Sequence, residues 1–298
     1  MTALLRLGLG TVQFGLEYGV SNRKGRPGTI EVSKILARAM EAGFGYIDTA
    51  PAYGDAEILV GRFLPVGHGM PIVTKTPAMS GSTIEARHGQ LVLDSLAISL
   101  DRLKVDAVQG LLVHQSDDLA KPGWQHLVDA MAEAQARGWT SRIGVSVYNS
   151  DQLALVERRF RPQLIQLPLN VFDRRPIVSR ILADLKAAGV EIHARSVFLQ
   201  GLLLMEPSQL PEFFLPLREK IAAMHRRWAE GGLSPLAGCL AFVLQQPEID
   251  AAIVGVNTVS ELDEIIAAVR GTGPVDFEQT APVESIFLDP SRWPAFVH

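Results

Sequence analysis

The segment 107–147 reads AVQGLLVHQSDDLAKPGWQHLVDAMAEAQARGWTSRIGVSV. It begins with an apolar run, Ala107–His114, and ends with a second one, Arg142–Val147. The stretch between them, Gly123–Gly138, has apolar residues at helical spacing and closes on a glycine, a residue that commonly follows a helix. Continuous apolar runs of this length are typical of strands that are buried on both faces. The segment therefore predicts a strand, a helix and a second strand parallel to the first.

The same order of strand and helix recurs along the whole chain. Apolar runs that predict strands occur eight times, at Leu5–Gly10, Gly45–Asp48, Pro71–Lys75, Ala107–His114, Arg142–Val147, Leu164–Asn170, Val190–Ser196 and Ala251–Gly255. Amphipathic stretches that predict helices lie between them, at Thr29–Ala42, Ser82–Leu103, Gly123–Gly138, Pro176–Gly189, Pro216–Glu230 and Val259–Val269. Eight such units in 298 residues predict an α/β fold, a closed (β/α)8 TIM barrel. No linker-like stretch interrupts residues 1–298, so a single domain is expected.

The main alternative is an open, doubly wound sheet. That fold places a glycine fingerprint between its first strand and a helix. The nearest candidate, GLGTVQFG at Gly8–Gly15, has its third glycine at the wrong spacing, and loop-like sequence follows it. The barrel is therefore favoured. The connection Gln200–Leu215 is unusually long and is expected to fold over the barrel mouth.

Composition narrows the possible partners and the location. The chain has 28 Lys and Arg against 32 Asp and Glu, and the basic residues are scattered, so no nucleic acid partner is expected. The sequence contains neither a secretory signal nor an uncharged apolar run of about 18 residues, so neither export nor a membrane partner is predicted. Cys239 is the single cysteine, which excludes an internal disulfide and fits a cytoplasmic location.

Polar side chains stand at the ends of three consecutive predicted strands. The second strand ends at Asp48, the third at Lys75 and the fourth at His114, and Tyr53 lies in the loop after the second. In (β/α)8 barrels, catalytic residues lie at the carboxyl ends of the strands. Singly, Asp48 could cap a turn, Lys75 could reach solvent and His114 could be a structural residue. Their occurrence on neighbouring strands favours one shared site.

These four residue types suit the reduction of a carbonyl group. A free tyrosine has a pKa near ~10, and a neighbouring ammonium group lowers it by favouring the phenolate. We therefore expect Lys75 to make Tyr53 a better acid, and Asp48 to keep Lys75 charged. His114 is expected to donate a hydrogen bond to the carbonyl oxygen. Tyr53 would protonate the alkoxide that forms when a hydride reaches the carbonyl carbon, and nicotinamide is the expected hydride source.

Several motifs resemble those of the aldo-keto reductase superfamily. They are DTAPAYG (Asp48–Gly54), VTKTP (Val73–Pro77), LLVHQSD (Leu111–Asp117), RIGVSVY (Arg142–Tyr148), QLPLN (Gln166–Asn170), ARSVFLQGLL (Ala194–Leu203) and IVGVNTVSELDEI (Ile253–Ile265). The resemblance spans essentially the whole chain. It implies a (β/α)8 barrel that reduces aldehydes or ketones with NAD(P)H, or oxidises the corresponding alcohols or sugars. It also implies that Asp48, Tyr53, Lys75 and His114 have the catalytic roles described above.

The resemblance further implies a set of dinucleotide-binding residues. Ser146 and Gln166 match family positions that hold the nicotinamide carboxamide, whereas Val147 replaces an Asn that also binds it. Arg195 stands where an aromatic residue often stacks on the nicotinamide, and a guanidinium plane can stack there too. The other expected contacts follow the first, seventh and eighth strands, at Gly10, Thr11, Ser196, Leu199, Gly201, Gly255, Asn257, Thr258, Glu261 and Glu264.

The turn into the last barrel helix bears on the choice of dinucleotide. Family members that prefer NADPH usually place Lys or Arg there to bind the 2′-phosphate. Residues 255–264 contain no basic residue, and Glu261, Asp263 and Glu264 are acidic. A 2′-phosphate would meet only backbone N–H groups and short polar side chains. We therefore expect NADH to be accepted at least as well as NADPH. A simpler interpretation is that Ser260 only caps the helix.

Other features leave alternatives open. Phe14 and Tyr18 could line the barrel mouth or pack beneath the first loop, and Trp293 and Phe296 could close the pocket or anchor the C-terminal segment. Seven histidines occur without a close pair, so no metal site is expected. The partner is expected to be a small carbonyl compound, and the chain a monomer or weak homo-oligomer. Competing functions are a regulator that binds the dinucleotide without turnover and a Schiff-base enzyme that uses Lys75.

Overall fold

The computed structural model describes residues 3–271, 273, 275, 277 and 282–294. Eight parallel strands form a closed barrel, in which each strand pairs with the next along the chain and the last pairs with the first. The strands are β1 (Leu7–Gly10), β2 (Tyr46–Asp48), β3 (Ile72–Lys75), β4 (Val108–Val113), β5 (Thr140–Ser146), β6 (Leu164–Pro168), β7 (Glu191–Arg195) and β8 (Ala251–Gly255). The predicted closed (β/α)8 barrel is confirmed, and no strand end differs from its predicted position by more than two residues.

Helices fill the connections between the strands. The described α-helices are α1 (Val12–Gly15), α2 (Thr29–Ala42), α3 (Ala56–Phe63), α4 (Ala86–Leu103), α5 (Gln125–Ala136), α6 (Ser150–Glu157), α7 (Arg175–Val178), α8 (Ile181–Ala187), α9 (Arg218–Glu230), α10 (Pro235–Leu244), α11 (Val259–Gly271) and α12 (Ser285–Leu288). Short 3₁₀ turns are at Ala3–Arg6, Ser116–Ala120, Leu202–Leu204, Pro207–Gln209, Glu212–Leu217 and Pro290–Arg292.

The helices differ from the sequence prediction in two ways. The stretch Pro176–Gly189, predicted as one helix, is two helices, because Arg180 adopts a left-handed conformation with φ of 61° between α7 and α8. The helices α1, α3, α6, α10 and α12 were not predicted. Most of α10 is buried, so its sequence PLAGCLAFVL has no polar face to reveal the helical period. Burial raises the pKa of the Cys239 thiol within α10, which makes it an inert core residue.

Apolar side chains fill the lower part of the barrel interior. Val73, Leu112 and Leu164, from three different strands, form a fully buried cluster that is separate from the main core. Gly110 makes room for this cluster, since a Cβ at that position would lie 2.6 Å from the side chain of Leu164. The barrel is therefore a packed core rather than a pore, and its carboxyl-terminal rim is left for a ligand.

Candidate active site

Asp48 and Lys75 form a buried ion pair at this rim. They are the last residues of the paired strands β2 and β3. The Lys75 ammonium donates hydrogen bonds to both carboxylate oxygens of Asp48 and to the carbonyl oxygen of Thr49, each at 2.9 Å. Only 5% of Asp48 and 2% of Lys75 is exposed. An ammonium group has three protons, so these bonds leave none for another acceptor.

Tyr53 and His114 lie beside the ion pair. The Lys75 nitrogen is 5.1 Å from the centroid of the Tyr53 ring. The His114 ring centroid is 5.7 Å from that of Tyr53, and the rings meet edge to face at 82°. The structure thus brings together all four residues that the strand ends predicted, Asp48, Tyr53, Lys75 and His114.

The expected lowering of the Tyr53 pKa is not found, and the structure gives the opposite direction. Burial, followed by the negative charge of Asp48, raises the pKa of Tyr53 above its usual value. Arg195 acts in the lowering direction, but its effect is smaller. The physical reason is first the burial of the phenol, and the ion pair adds to it because the Asp48 carboxylate offsets the charge of Lys75. Tyr53 is therefore fully protonated near neutral pH.

His114 is uncharged near neutral pH. Its pKa is lowered to about 4, first by burial and then by the positive charge of Lys75. A neutral imidazole keeps one N–H, so His114 can still donate one hydrogen bond. It is suited to bind an oxygen atom rather than to deliver a proton.

His114 should make the stability of the protein depend on pH. An unfolded histidine titrates near ~6.5, whereas the pKa of folded His114 is about 4. Between these values the unfolded state binds more protons, so lowering the pH reduces the free energy of unfolding, by up to about 3 kcal/mol. Urea unfolding at about pH 7 and about pH 4.5 should show a smaller loss in His114→Gln than in the wild type. Equal losses in the two proteins would refute this assignment.

A cavity of about 1080 Å³ lies over the rim, and Asp48 and Tyr53 line it. Its size reaches the upper end of the ~300–1,000 Å³ range of small-molecule and cofactor sites. Lys75 lies beneath Asp48, and His114 lies beside Tyr53, without lining the cavity. Ten of the residues predicted to bind a dinucleotide do line it, namely Gly10, Thr11, Gln166, Arg195, Ser196, Gly201, Gly255, Asn257, Glu261 and Glu264.

The other three predicted binding residues do not line the cavity. Ser146 is nearly buried and donates a hydrogen bond to the side-chain oxygen of Gln166 at 3.4 Å. The Leu199 side chain is fully buried in the core, and its N–H donates to the Ser196 carbonyl oxygen. The Thr258 hydroxyl accepts from the N–H of Glu261 and so caps α11. These residues support the cavity wall instead of forming it.

The capping of α11 differs from the prediction. Ser260 lies inside the helix, so Thr258 rather than Ser260 caps it. The Glu261 carboxylate accepts from the N–H of Asn257 at 2.7 Å, which completes a reciprocal cap. The Glu264 carboxylate is exposed and faces the same cavity.

The structure gives the positions of three aromatic residues for which the sequence left two alternatives open. Phe14 is fully buried in the core, whereas Tyr18 lines the cavity. Trp293 is 6% exposed, its ring packs 4.8 Å from Phe214, and its Nε1–H donates to the Ile286 carbonyl oxygen. Trp293 therefore anchors the C-terminal segment. Phe296 lies outside the described residues.

Gln166 has a contact that the sequence did not indicate. Its amide nitrogen donates to a carboxylate oxygen of Asp48 at 2.7 Å. Asp48 therefore accepts hydrogen bonds from both Lys75 and Gln166. Gln166 joins the predicted dinucleotide site to the predicted catalytic residues.

Arg195 is held beside the site by residues that directly follow β5 and β7. Its guanidinium carbon lies 4.0 Å from the centroid of the Tyr148 ring, and it donates to the Val147 carbonyl oxygen at 2.9 Å and to the Ser196 hydroxyl at 3.2 Å. Tyr148 thus covers one face of the guanidinium group and leaves the other for a ligand. Sequence reasoning missed this role of Tyr148, although an aromatic residue directly after β5 was a usable signal.

The loops after β1 and β7 meet over the cavity. The Val20 N–H donates to the Gln200 carbonyl oxygen at 3.0 Å, and a Cβ on Gly201 would lie 1.9 Å from the Ser21 hydroxyl oxygen. Gln200 and Leu199 adopt left-handed conformations, with φ of 56° and 48°, which are uncommon for residues other than glycine. The connection that starts at Gln200 lines the cavity as far as Gln209, so its predicted position is confirmed for that part.

The cavity wall has polar groups that fit a dinucleotide. Among the described residues, Gln13, Gln200 and Asn257 each have a buried side-chain oxygen without a hydrogen-bond partner, and all three line the cavity. Buried acceptors of this kind are costly unless a ligand or water satisfies them. Ribose hydroxyl groups and amide N–H groups are suitable donors. Gln13 was missed, because an amide in a one-turn helix carries no signal of its own.

The described part of the chain also bears on metal binding and membrane insertion. It contains no group of three or more His, Cys, Asp or Glu residues arranged to hold a metal ion. None of its helices has both the length and the apolar character needed to cross a membrane.

Known proteins with similar sequences and structures identify the family. A sequence profile described as "Aldo/keto reductase family" matches residues 6–286. Aldo-keto reductase str7 of Strobilurus tenacellus is 27% identical over 79% of this chain and 75% of its own. L-galactose dehydrogenase of Arabidopsis thaliana is 25% identical over 88% and 86%. The structure of aldo-keto reductase AKR11C1 from Bacillus halodurans (holo form) superposes with a TM-score of 0.70 over 91% of this chain and 88% of that one, at 19% identity. The chain belongs to the aldo/keto reductase family.

Proposed function

We propose that this chain reduces an aldehyde or ketone with NADH or NADPH, or oxidises the corresponding alcohol or sugar, with Tyr53 as the general acid or base. The observation that carries the proposal is the Asp48–Lys75 ion pair at the edge of a cavity of about 1080 Å³, with Tyr53 and His114 beside it. The unpaired amide oxygens on the cavity wall support a ligand rich in hydroxyl and amide groups.

Each residue of the site has a defined part in the proposed reaction. A bound nicotinamide dinucleotide would supply the hydride. Neutral His114 donates a hydrogen bond to the carbonyl oxygen and orients it. Tyr53 transfers its phenolic proton to that oxygen as negative charge develops, and solvent later returns a proton to Tyr53. Lys75, next to the ring, stabilises the phenolate while it exists, and Asp48 holds the Lys75 ammonium in place through hydrogen bonds to both carboxylate oxygens.

The raised pKa of Tyr53 favours reduction over oxidation near neutral pH. Reduction needs a protonated phenol, and burial together with Asp48 keeps it protonated. An alkoxide is far more basic than a phenolate, so the proton transfer remains favourable. Oxidation needs the phenolate, whose population falls about tenfold for each unit by which the pH lies below the pKa.

Single-turnover mixing tests the proposal directly. Protein saturated with NADH or NADPH is mixed with a panel of aldehydes and ketones, and loss of the reduced-nicotinamide absorbance is followed. The similarity to an L-galactose dehydrogenase supports including aldoses among the carbonyl compounds of this panel. It also supports testing sugars as substrates of the reverse reaction, the oxidation. Tight binding of the dinucleotide with no oxidation by any carbonyl compound would favour a regulatory protein instead.

A Schiff-base mechanism at Lys75 finds no support in the geometry. A nucleophilic lysine must lose its proton, but the Lys75 ammonium makes three hydrogen bonds to oxygen atoms, two of them on a carboxylate. Borohydride trapping of a carbonyl compound on Lys75 would overturn this view.

The acidic turn before α11 supports the proposal that NADH binds at least as tightly as NADPH. The Glu264 carboxylate and the unpaired oxygen of Asn257 face the cavity, and both would repel a 2′-phosphate while accepting a hydrogen bond from a ribose hydroxyl. Replacing Glu264 with Lys should shift the ratio of dissociation constants towards NADPH by about tenfold or more. Fluorescence titrations with both dinucleotides measure the ratio.

A neighbouring acid gives the matched control for Glu264. Asp263 pairs with Arg38 at 2.6 Å and does not line the cavity. Asp263→Lys should leave the preference unchanged, although it makes the same change of charge. Wild-type binding of NADPH about 100-fold tighter than NADH would refute the proposed preference.

Three broader expectations remain proposals. They are a cytoplasmic location, a monomeric or weakly homo-oligomeric state, and the folding of residues 1–298 as a single domain. Sedimentation at several protein concentrations would test the oligomeric state.

A further inference from the structure

The loop after β1 carries two cations on the wall of the main cavity. Arg23 and Lys24 both line it, although their side chains are largely exposed. The Asn22 side chain builds the turn that presents them, because its nitrogen donates to the carbonyl oxygens of Tyr18 and Gly25, and its oxygen accepts from the N–H of Lys24. The two cations therefore project from an ordered turn.

Neither of these cations forms an ion pair with the part of the chain that the structure describes. A third basic residue of the same loop, Arg26, donates to the Phe14 carbonyl oxygen at 3.0 Å and lies 3.6 Å from the Asp55 carboxylate. Within the described ranges of the chain, no carboxylate is at ion-pairing distance from Arg23 or Lys24. Their charge is available to a ligand in the cavity.

The same loop contacts the loop after β7, which contains the predicted dinucleotide-binding residues Leu199 and Gly201. Val20 donates to Gln200, and Ser21 fills the space where Gly201 has no side chain. Arg23 and Lys24 follow directly after this contact. The third cation on the cavity wall, Arg195, is held against Tyr148 near the catalytic residues. A diphosphate bridge between the ends of the cavity would therefore meet positive charge mainly from the β1 loop.

We infer that Arg23 and Lys24 form a cationic arm that binds the phosphate groups of the dinucleotide from the β1 side of the cavity. The inference rests on the proposed function, since it presupposes a dinucleotide. It places positive charge on the cavity wall, whereas residues 255–264 contribute none. Phosphate oxygens could come from the diphosphate, which NADH and NADPH share, or from the 2′-phosphate of NADPH. The contact with Gln200 and Gly201 and the acidic side chain of Glu264 favour the diphosphate.

The test is dinucleotide binding, measured without turnover. Arg23→Gln, Lys24→Gln and the double variant are titrated with NADH and with NADPH by isothermal calorimetry. Each single variant should raise the dissociation constant by about tenfold, because a charge-assisted hydrogen bond is lost, and the double variant by more. Added NaCl should weaken binding less in the double variant than in the wild type. Lys34→Gln, an exposed lysine of α2 away from the cavity, is the charge-matched control and should bind as the wild type does.

The pattern across ligands separates the outcomes. Equal weakening for NADH and NADPH supports binding of the diphosphate, and weaker binding of inorganic pyrophosphate to the double variant would support it independently. Weakening for NADPH alone would keep the arm but assign it to the 2′-phosphate, and would contradict the proposed NADH preference. If the double variant binds both dinucleotides as tightly as the wild type does, the inference that Arg23 and Lys24 bind phosphate is refuted. The proposed function is then unaffected. Failure of the wild type itself to bind either dinucleotide overturns both.

Discussion

Replacing Tyr53 with Phe should lower the single-turnover rate of carbonyl reduction by about 10³-fold or more while leaving dinucleotide affinity unchanged. Positioned general acids contribute roughly 10²–10⁴-fold, and Tyr53 is the only proton donor in the proposed mechanism. The phenyl ring fills the same volume between Lys75 and His114, so the edge-to-face contact at 5.7 Å is retained. Rapid mixing of NADH-loaded protein with a reactive aldehyde measures the rate, and a separate titration measures the affinity.

A second tyrosine of the cavity provides the control for this variant. Tyr18 also lines the cavity, and burial raises its pKa too, but it has neither the ion pair nor the imidazole against it. Tyr18→Phe should therefore keep the rate within about tenfold of the wild type. Comparable losses in the two variants would mean that the cavity needs hydroxyl groups in general. A Tyr53→Phe rate close to wild type would show that another group donates the proton.

The barrel and the four clustered residues were predictable because both depend on short-range patterns. Asp48, Lys75 and His114 each end an apolar run, and parallel strands of a barrel all end at the same rim. The location of such a polar residue at the rim can therefore be predicted from the strand ends alone. This is why the Asp48–Lys75 contact at 2.9 Å could be anticipated from residues 27 positions apart.

The electrostatics of the site could not be derived in the same way. The pKa of Tyr53 depends on how the charge of Lys75 is shared, and three hydrogen bonds to Asp48 and Thr49 commit it away from the phenol. Residue types alone predicted a lowered pKa, whereas burial raises it. A shift of this kind needs distances and burial, which the sequence pattern does not contain.

Loop contacts were the other feature beyond the reach of the sequence. Parts of the connections between the strands have no regular sequence period, so no rule places their side chains relative to the strands. These parts contain Gln13, Tyr148, Arg23 and Lys24. The family motifs located the loop after β7, but not its hydrogen bond from Val20 in the loop after β1. The side chains that the sequence did not predict are accordingly those whose positions depend on contacts between loops.

Replacing Lys75 with Met should damage the protein in two separable ways. The variant leaves the Asp48 carboxylate, which is 5% exposed, with Gln166 as its only side-chain donor among the described residues. Breaking a buried ion pair by removing one partner typically costs about 3–5 kcal/mol, so the free energy of unfolding should fall by roughly that amount. The reduction rate should fall by about 10²-fold or more, because the cation beside the Tyr53 ring no longer stabilises the phenolate. Urea unfolding measures the first effect and rapid mixing the second.

The double variant Asp48→Asn/Lys75→Met distinguishes structure from catalysis. A neutral amide can accept from Gln166 without the cost of a buried, unpaired charge, so most of the lost stability should return. The rate should not return, because the cation 5.1 Å from the Tyr53 ring is still missing. If stability and rate recovered together, Lys75 would matter only by holding Asp48 in place. If neither recovered, the loss would come from poor packing of the methionine, and the ion pair would no longer explain it.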